Sequence, residues 1–419
     1  MIKHLLTLIW NQRNGNIWIF LELLLVTAML WVMADSLLVD TYTYRQPIGV
    51  DTQHTYLLSY GLTDDATELG IEQNTQATQD LLQLLRNLRQ CPEVEAVSLS
   101  NIAVPYTYSR GWSGLMPVED TASISYAYRV RYVDLEYFRV FKVKDKEGRP
   151  LYDQVLKNPG EIVLSETLDE IFFPEGSGRT QRKVKWGPKS TESMKVSAVS
   201  APLKEMDFDT YQPTYYYVWR TEQDFLNEVA ENDIRLYNCL FRMKKDYSQQ
   251  EMEAFLQQES ERLQVGNVYV SSVKPISEYR ADMLKPRLDN QKKKIAMVGF
   301  MLVNIFFGIV GTFWLRTQSR RAEIGLRAAL GASKRQLRRE LFLEGLFLLA
   351  LTLPFLLIFW VNMLYLDMPD TYRLAYTWWR FLITLSVSYL LMGGMIYLGI
   401  RIPANKITRM NPAETLHYE

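Results

Sequence analysis

The sequence predicts a membrane α-helical protein, with four transmembrane helices and a large α+β extracytoplasmic domain of two subdomains inserted between helices 1 and 2. Three observations carry that expectation. Hydrophobic residues make up 48% of the 419 residues, yet 47 Lys+Arg balance 47 Asp+Glu. Mean hydropathy is only −0.13, because apolar residues gather into long runs near the two ends with a mixed, charged stretch between them. That stretch alternates strand and helix periodicities. The balanced charge gives no electrostatic footprint for a nucleic-acid partner.

The spans follow in order. Residues 1–16 are a cytoplasmic N-terminal segment, and 17–39 form the first helix, with Glu22 in its first turns and Asp35 near its end. A cleaved signal peptide is the competing reading, since Lys3 and Arg13 precede an apolar core and Val32, Met33 and Ala34 resemble a cleavage site. The run exceeds the roughly 7 to 15 residues of a signal core, which favours a retained helix. Glu22 is expected near the cytoplasmic interface, where snorkelling lowers its cost, with a proton relay as the sharper alternative. Ile295 to Leu315 carries no charge and is long enough, at about 1.5 Å per residue, to cross a hydrocarbon core of about 30 Å. The run Gly345 to Leu366 lies in the third helix, 341–366, where Pro354 is tolerable if neighbours satisfy the freed backbone. Residues 381–400 form the fourth.

Basic residues set the orientation. The segment 316–340 holds Arg316, Arg320, Arg321, Arg327, Lys334, Arg335, Arg338 and Arg339 against Glu323 and Glu340, so it is expected in the cytoplasm. The short loop 367–380 then faces outward, with Tyr376, Trp378 and Trp379 at the interface. The tail 401–419, bearing Arg401, Lys406 and Arg409, returns inside. Both termini are cytoplasmic in this reading.

Residues 40–294 form the outer domain. Leu81, Leu84, Leu85 and Leu88 recur at helical spacing before Cys91 and Pro92, with candidate strands Thr55 to Tyr60 and Val94 to Ser100 on either side. A similar order returns late: a strand at Tyr237 to Met243, a capping box at Ser248 and Glu251, a helical face at Met252, Phe255, Leu256 and Leu263, and a strand at Val268 to Val273. These units predict a split α+β subdomain, 40–133 with 236–294, and an inserted strand-rich subdomain, 134–235. Ile124, Tyr126, Tyr128, Val130 and Tyr132 alternate with Ser125, Ala127, Arg129 and Arg131, the period of a half-buried strand. Gly176 to Ser190 reads as a solvated loop or hairpin tip, with binding at the tip as the alternative. Cys91 and Cys239 would face an oxidising compartment, which leaves a disulfide open, although no spacing brings them together.

Catalytic signatures are missing. There is no G-x-x-x-x-G-K-[ST], H-E-x-x-H or C-x-x-C, and the three histidines are scattered. Ser271 to Lys274 matches S-x-x-K but falls in an expected strand without the accompanying motifs. The chain is therefore not expected to be an enzyme, to bind a cofactor or to hold a metal.

The informative segment is Arg320 to Leu337. Ala322 to Leu330 favours helix, Gly331 can end it in a left-handed conformation, and Ser333 with Gln336 can cap the helix that follows. Ile324, Ala328, Gly331 and Ala332 offer a small close-packing surface surrounded by Arg321, Glu323 and Arg327. Docking into another protein's groove is one reading, and a basic helix on anionic headgroups of membrane lipid is the other. Asn304, Gly308 and Gly311 could pack helices at a dimer seam, or within one subunit.

Here the sequence resembles the MacB/FtsX-like family of ABC-transporter permeases, whose cytoplasmic loop reads approximately R-x-x-E-I-G-[IL]-R-x-A-[LI]-G-A-[ST]. Arg320, Glu323, Ile324, Gly325, Leu326, Arg327, Ala329, Leu330, Gly331, Ala332 and Ser333 fit it in register. Pro403, Arg409, Asn411, Pro412, Glu414, Leu416 and Glu419 fill a similar terminal pattern, from which Ile407, Thr415 and His417 depart. The resemblance implies a permease subunit without a fused ATPase domain, in a bacterial cytoplasmic (inner) membrane with its large domain in the periplasm. ATP and Mg would be bound by a separate cytoplasmic ABC ATPase, coupled through Arg321, Glu323, Ile324, Gly325, Arg327, Ala328, Gly331 and Ala332. A second permease copy or paralogue is implied, with a periplasmic adaptor, an outer-membrane duct or an envelope substrate as outer partner. Mechanotransmission for export or relocation is the first expectation. An FtsX-like scaffold that regulates a periplasmic cell-wall hydrolase is the second.

Overall fold

The computed structural model describes residues 13–63, 70–120, 126–174, 182–319, 326, 330 and 332–408. Two compact units result, Tyr44–Arg287 and the pair Met1–Thr43 with Leu288–Glu419. The principal helices in chain order are α1 (Arg13–Arg45), α2 (Ile71–Arg89), α3 (Glu222–Ala230), α4 (Gln249–Gln258), α5 (Ile276–Ser319), α6 (Lys334–Leu351), α7 (Leu353–Tyr365) and α8 (Trp378–Thr408). The strands are β1 (Thr55–Leu62), β2 (Val94–Asn101), β3 (Gly111–Gly114), β4 (Met116–Pro117), β5 (Ala127–Asp134), β6 (Ile162–Ser165), β7 (Lys183–Lys185), β8 (Met194–Ser200), β9 (Thr214–Trp219), β10 (Asn238–Met243), β11 (Gln264–Val265) and β12 (Val268–Pro275).

In the unit Tyr44–Arg287 the two strand-helix-strand repeats interleave, so that β12, β1, β10 and β2 lie side by side. Leu81, Leu84, Leu85 and Leu88 of α2 bury their shared face against Leu58, Val97 and Phe241, joined by Met252 and Phe255 of α4. The Ser248 side chain accepts from Glu251 N–H while the Glu251 carboxylate accepts from Ser248 N–H, the reciprocal cap that starts α4. The opposite sheet face packs Leu57, Ala96 and Leu240 on Tyr137, Phe138, Phe141 and Leu151.

The division expected at residue 134 is not a break in the sheet. β5 pairs with β2 at Ser100↔Val133 and Asn101↔Tyr132, and in parallel with β9 from Arg129↔Thr214 to Asp134↔Trp219. The order then runs β9, β6, β8, β7, β4, with β3 branching from β5. Nor is β5 half-buried. Arg129 and Arg131 are only 6% and 4% exposed, because the connection from β8 to β9 brings Glu205 over their face. Alternation distinguishes two faces but does not say that either meets water. Ile124 and Ser125 lie outside the described residues, as does the tip 175–181.

Among the described residues, four helical stretches are long and apolar enough to cross a membrane, Ile17–Arg45, Ile276–Ser319, Lys334–Tyr365 and Trp378–Lys406, and most of their length belongs to the second unit. Their core joins Leu23 and Leu30 of α1, Ile309 and Phe313 of α5, Leu348 of α6, and Met392 and Ile396 of α8. Pro354 interrupts the third span by placing a helix restart behind Thr352. The Thr352 hydroxyl donates to Leu349 O at 2.6 Å and Leu356 N–H donates to Thr352 O at 2.9 Å, so polar groups at the break are satisfied locally.

Glycine permits the approach of α6 to α8. A Cβ on Gly345 would lie 2.7 Å from Ile396 Cγ2 and 2.9 Å from Ile400 Cδ1. Gly345→Val should therefore overpack this seam and cost about 1–3 kcal/mol, read as earlier unfolding of the full chain in detergent. Unfolding at the wild-type temperature would show that the helices part freely.

Candidate functional site

Among the described residues no group of three or more His, Cys, Asp or Glu could hold a metal ion. Cys91 and Cys239 are free, buried thiols. Burial, then the charge of Glu259, pushes Cys91 up to about 11, and burial raises Cys239 further, so neither offers a reactive thiolate at neutral pH.

Most of the expected coupling segment, Arg321, Glu323, Ile324, Gly325, Arg327, Ala328 and Gly331, lies outside the described residues. Its flanks are described. Leu330 N–H donates to Leu326 O at 2.9 Å. Ala332 is half-buried. Ser333 then starts α6: its hydroxyl accepts from Gln336 N–H at 3.2 Å, and Gln336 Oε1 accepts from Ser333 N–H at 3.1 Å. The expected capping box is thus present. Lys334 and Arg335 follow at the positive end of the helix dipole, where cations are disfavoured, so helix stability does not account for them.

Leu326 and Leu330 stand 52% and 80% exposed. They sit one turn apart, so their side chains share a helix face. Both leucines fit the family pattern but stand outside the expected coupling set, and their i, i+4 spacing is the signal in the sequence that points to them.

The three residues of the expected packing seam separate. Gly308 faces Glu22 of α1 inside the protomer, where an added Cβ would fall 2.0 Å from Glu22 Oε1. Gly311 has nothing within 4 Å of such a Cβ. Asn304 is exposed, its amide donating to Phe300 O at 2.8 Å. Phe300, Phe307 and Leu315 are exposed on α5 as well.

Buried polar groups also link the spanning helices. Arg380 Nε and Nη2 donate to the two carboxylate oxygens of Asp35 at 2.8 and 2.6 Å, with both residues buried. Asp40 receives Lys294 at 2.7 Å and Arg373 at 2.7 Å. Charges at the ends of apolar runs signal that partners exist, but not which ones.

Comparison with known proteins places these features. Residues 24–259, over half the chain, match the MacB-like periplasmic core domain family. Residues 295–412 match the FtsX-like permease C-terminal family. A search of the curated proteins found no match. Three solved structures are similar. A domain of a permease protein from Porphyromonas gingivalis is 13% identical, with 54% of this chain and 91% of that one covered and a TM-score of 0.33. The periplasmic region of MacB from Actinobacillus actinomycetemcomitans is 15% identical, with coverage of 59% and 98% and a TM-score of 0.32. The extracellular domain of the noncanonic ABC-type transporter YknZ from Gram-positive bacteria is 14% identical, with coverage of 52% and 100% and a TM-score of 0.30.

Proposed function

The chain belongs to the MacB/FtsX-like family of ABC-transporter permeases, and from that premise we propose that it is a mechanotransmission subunit. A separate cytoplasmic ATPase binds ATP and Mg, and the permease carries the resulting movement to its periplasmic domain for export or relocation of an envelope substrate. The observation that carries this reading is the exposed Leu326 and Leu330 turn directly before the capped start of α6. An apolar knob anchored on a spanning helix suits a protein groove better than a charged headgroup layer. Arg321, Glu323, Ile324, Gly325, Arg327, Ala328, Gly331 and Ala332 complete the coupling surface in this proposal.

Two copies, or a copy and a paralogue, would meet along α5 through Asn304 and Gly311. The support is an exposed amide and an open glycine on an otherwise apolar face. Gly308 is assigned to packing within the protomer. Transport predicts an adaptor, an outer-membrane duct or a substrate on the periplasmic side, whereas the hydrolase-regulating scaffold predicts a cell-wall hydrolase there.

The test is purification of the intact assembly in detergent, identification of its cytoplasmic partner, and crosslinking from Arg327. Gly331→Val should abolish stimulation of the partner's ATP hydrolysis while the periplasmic domain keeps its fold. Full stimulation in that variant, or an assembly with no ATPase, would overturn the reading.

A further inference from the structure

The arginine face of β5 belongs to the unit Tyr44–Arg287, whereas the segment proposed for coupling belongs to the other. Trp112 of β3 stands opposite Arg129 in the sheet register, while Thr214 and Tyr216 of β9 stand opposite Arg129 and Arg131. Glu205 reaches both arginines, with Oε2 3.4 Å from Arg129 Nη2 and Oε1 3.1 Å from Arg131 Nη2. The Arg129 guanidinium carbon lies 4.2 Å from the centroid of the Trp112 ring, and Trp112 is itself 61% exposed.

Arg129 and Arg131 each keep one buried amino group, Nη1, with no hydrogen-bond partner among the described residues, and the Nε of Arg110 is in the same condition. The Tyr216 hydroxyl is likewise buried, beside the Arg131 guanidinium; burial disfavours charged Arg131, yet Glu205, Tyr137 and Tyr216 hold it above the usual guanidinium range. Burial holds Arg129 below the usual guanidinium range, as do the neighbouring charges of Arg110 and Arg131, although Glu205 and Asp209 oppose them. Burial disfavours ionised Glu205 too, yet Arg131 and Arg129 keep its carboxyl below the usual range. Three guanidinium groups, Arg110, Arg129 and Arg131, thus face two carboxylates, Glu205 and Asp209, and unmet donors on buried charges are costly.

We propose that this face of β5 is a binding site for a phosphoryl group, received by Arg129 and Arg131 with Trp112 as its exposed rim and Glu205 as the internal counter-ion it competes with. A phosphate monoester carries about −1.5 to −2 charges and three acceptor oxygens, which would offset the remaining positive charge and reach the unmet donors that the carboxylates leave open. Planar guanidinium forks suit such oxygens. The group could belong to a free phosphate or to a lipid headgroup, which share this chemistry. The proposal stands independently of the coupling role.

The full chain in detergent is titrated with inorganic phosphate and, separately, with a short-chain phosphatidic acid. Chloride at matched ionic strength and a zwitterionic lipid of equal chain length serve as controls. At least one phosphoryl probe should raise the unfolding temperature beyond its control. Stabilisation by inorganic phosphate identifies a solute site, and stabilisation by the lipid alone identifies a headgroup site. Arg129→Gln should abolish the effect, and Glu205→Gln should tighten binding about tenfold by removing the competing charge. No shift with either probe would overturn the site, as would an undiminished shift in folded Arg129→Gln. Should Arg129→Gln fail to fold, unchanged affinity in Glu205→Gln overturns it instead.

Discussion

Asp35→Ala should destabilise the helical unit by about 3–5 kcal/mol, the cost of removing one partner from a buried ion pair. The remaining partner, Arg380, is 2% exposed and cannot reach water without parting the helices. Its Nη1 is already used by the carbonyls of Asp370 and Leu374, so Nε and Nη2 would be stranded. Asp40 is already engaged by Lys294 and Arg373. Replacing both partners, Asp35→Ala with Arg380→Met, should recover most of the loss, because no uncompensated charge remains. Chemical unfolding of the full chain and the two variants in detergent gives the comparison. Equal stabilities for Asp35→Ala and wild type would mean that the pair is solvated in the native protein. A double variant as unstable as the single one would assign the cost to packing instead.

That pair also marks a limit on what the chain reveals before folding. Spanning runs are legible because the requirement for uninterrupted apolar length is local, and the α2 leucines because helix period is local. The caps at Ser248 and Ser333 are legible for the same reason. Asp35 and Arg380 are 345 residues apart, and no short-range pattern chooses Arg380 over Arg373 as the partner. Alternation on β5 separated the tyrosines from the arginines, but the cover comes from Glu205 in a distant connection. Both failures concern charged groups whose solvation is decided by another part of the chain.

The coupling turn reverses that relation, since its meaning lies outside the chain altogether. Leu330→Asp should lower productive coupling to the ATPase by at least about thirtyfold, the equivalent of losing about 2 kcal/mol at a docking hot spot. The argument rests on exposure. Leu330 is 80% exposed, so aspartate there strands no buried group of this protomer and the fold should be retained. Ser333 still caps α6, and Leu326 still presents its half of the face. A groove that buries leucine would instead have to desolvate a carboxylate. Headgroup contact predicts a weaker effect shared with loss of any nearby arginine, because such contacts contribute about 1 kcal/mol per basic residue. ATPase stimulation by the purified assembly, measured in neutral and in anionic lipid, separates the two. A loss of stimulation independent of lipid charge identifies protein docking. Full stimulation in both lipids would remove the leucine face from the coupling surface.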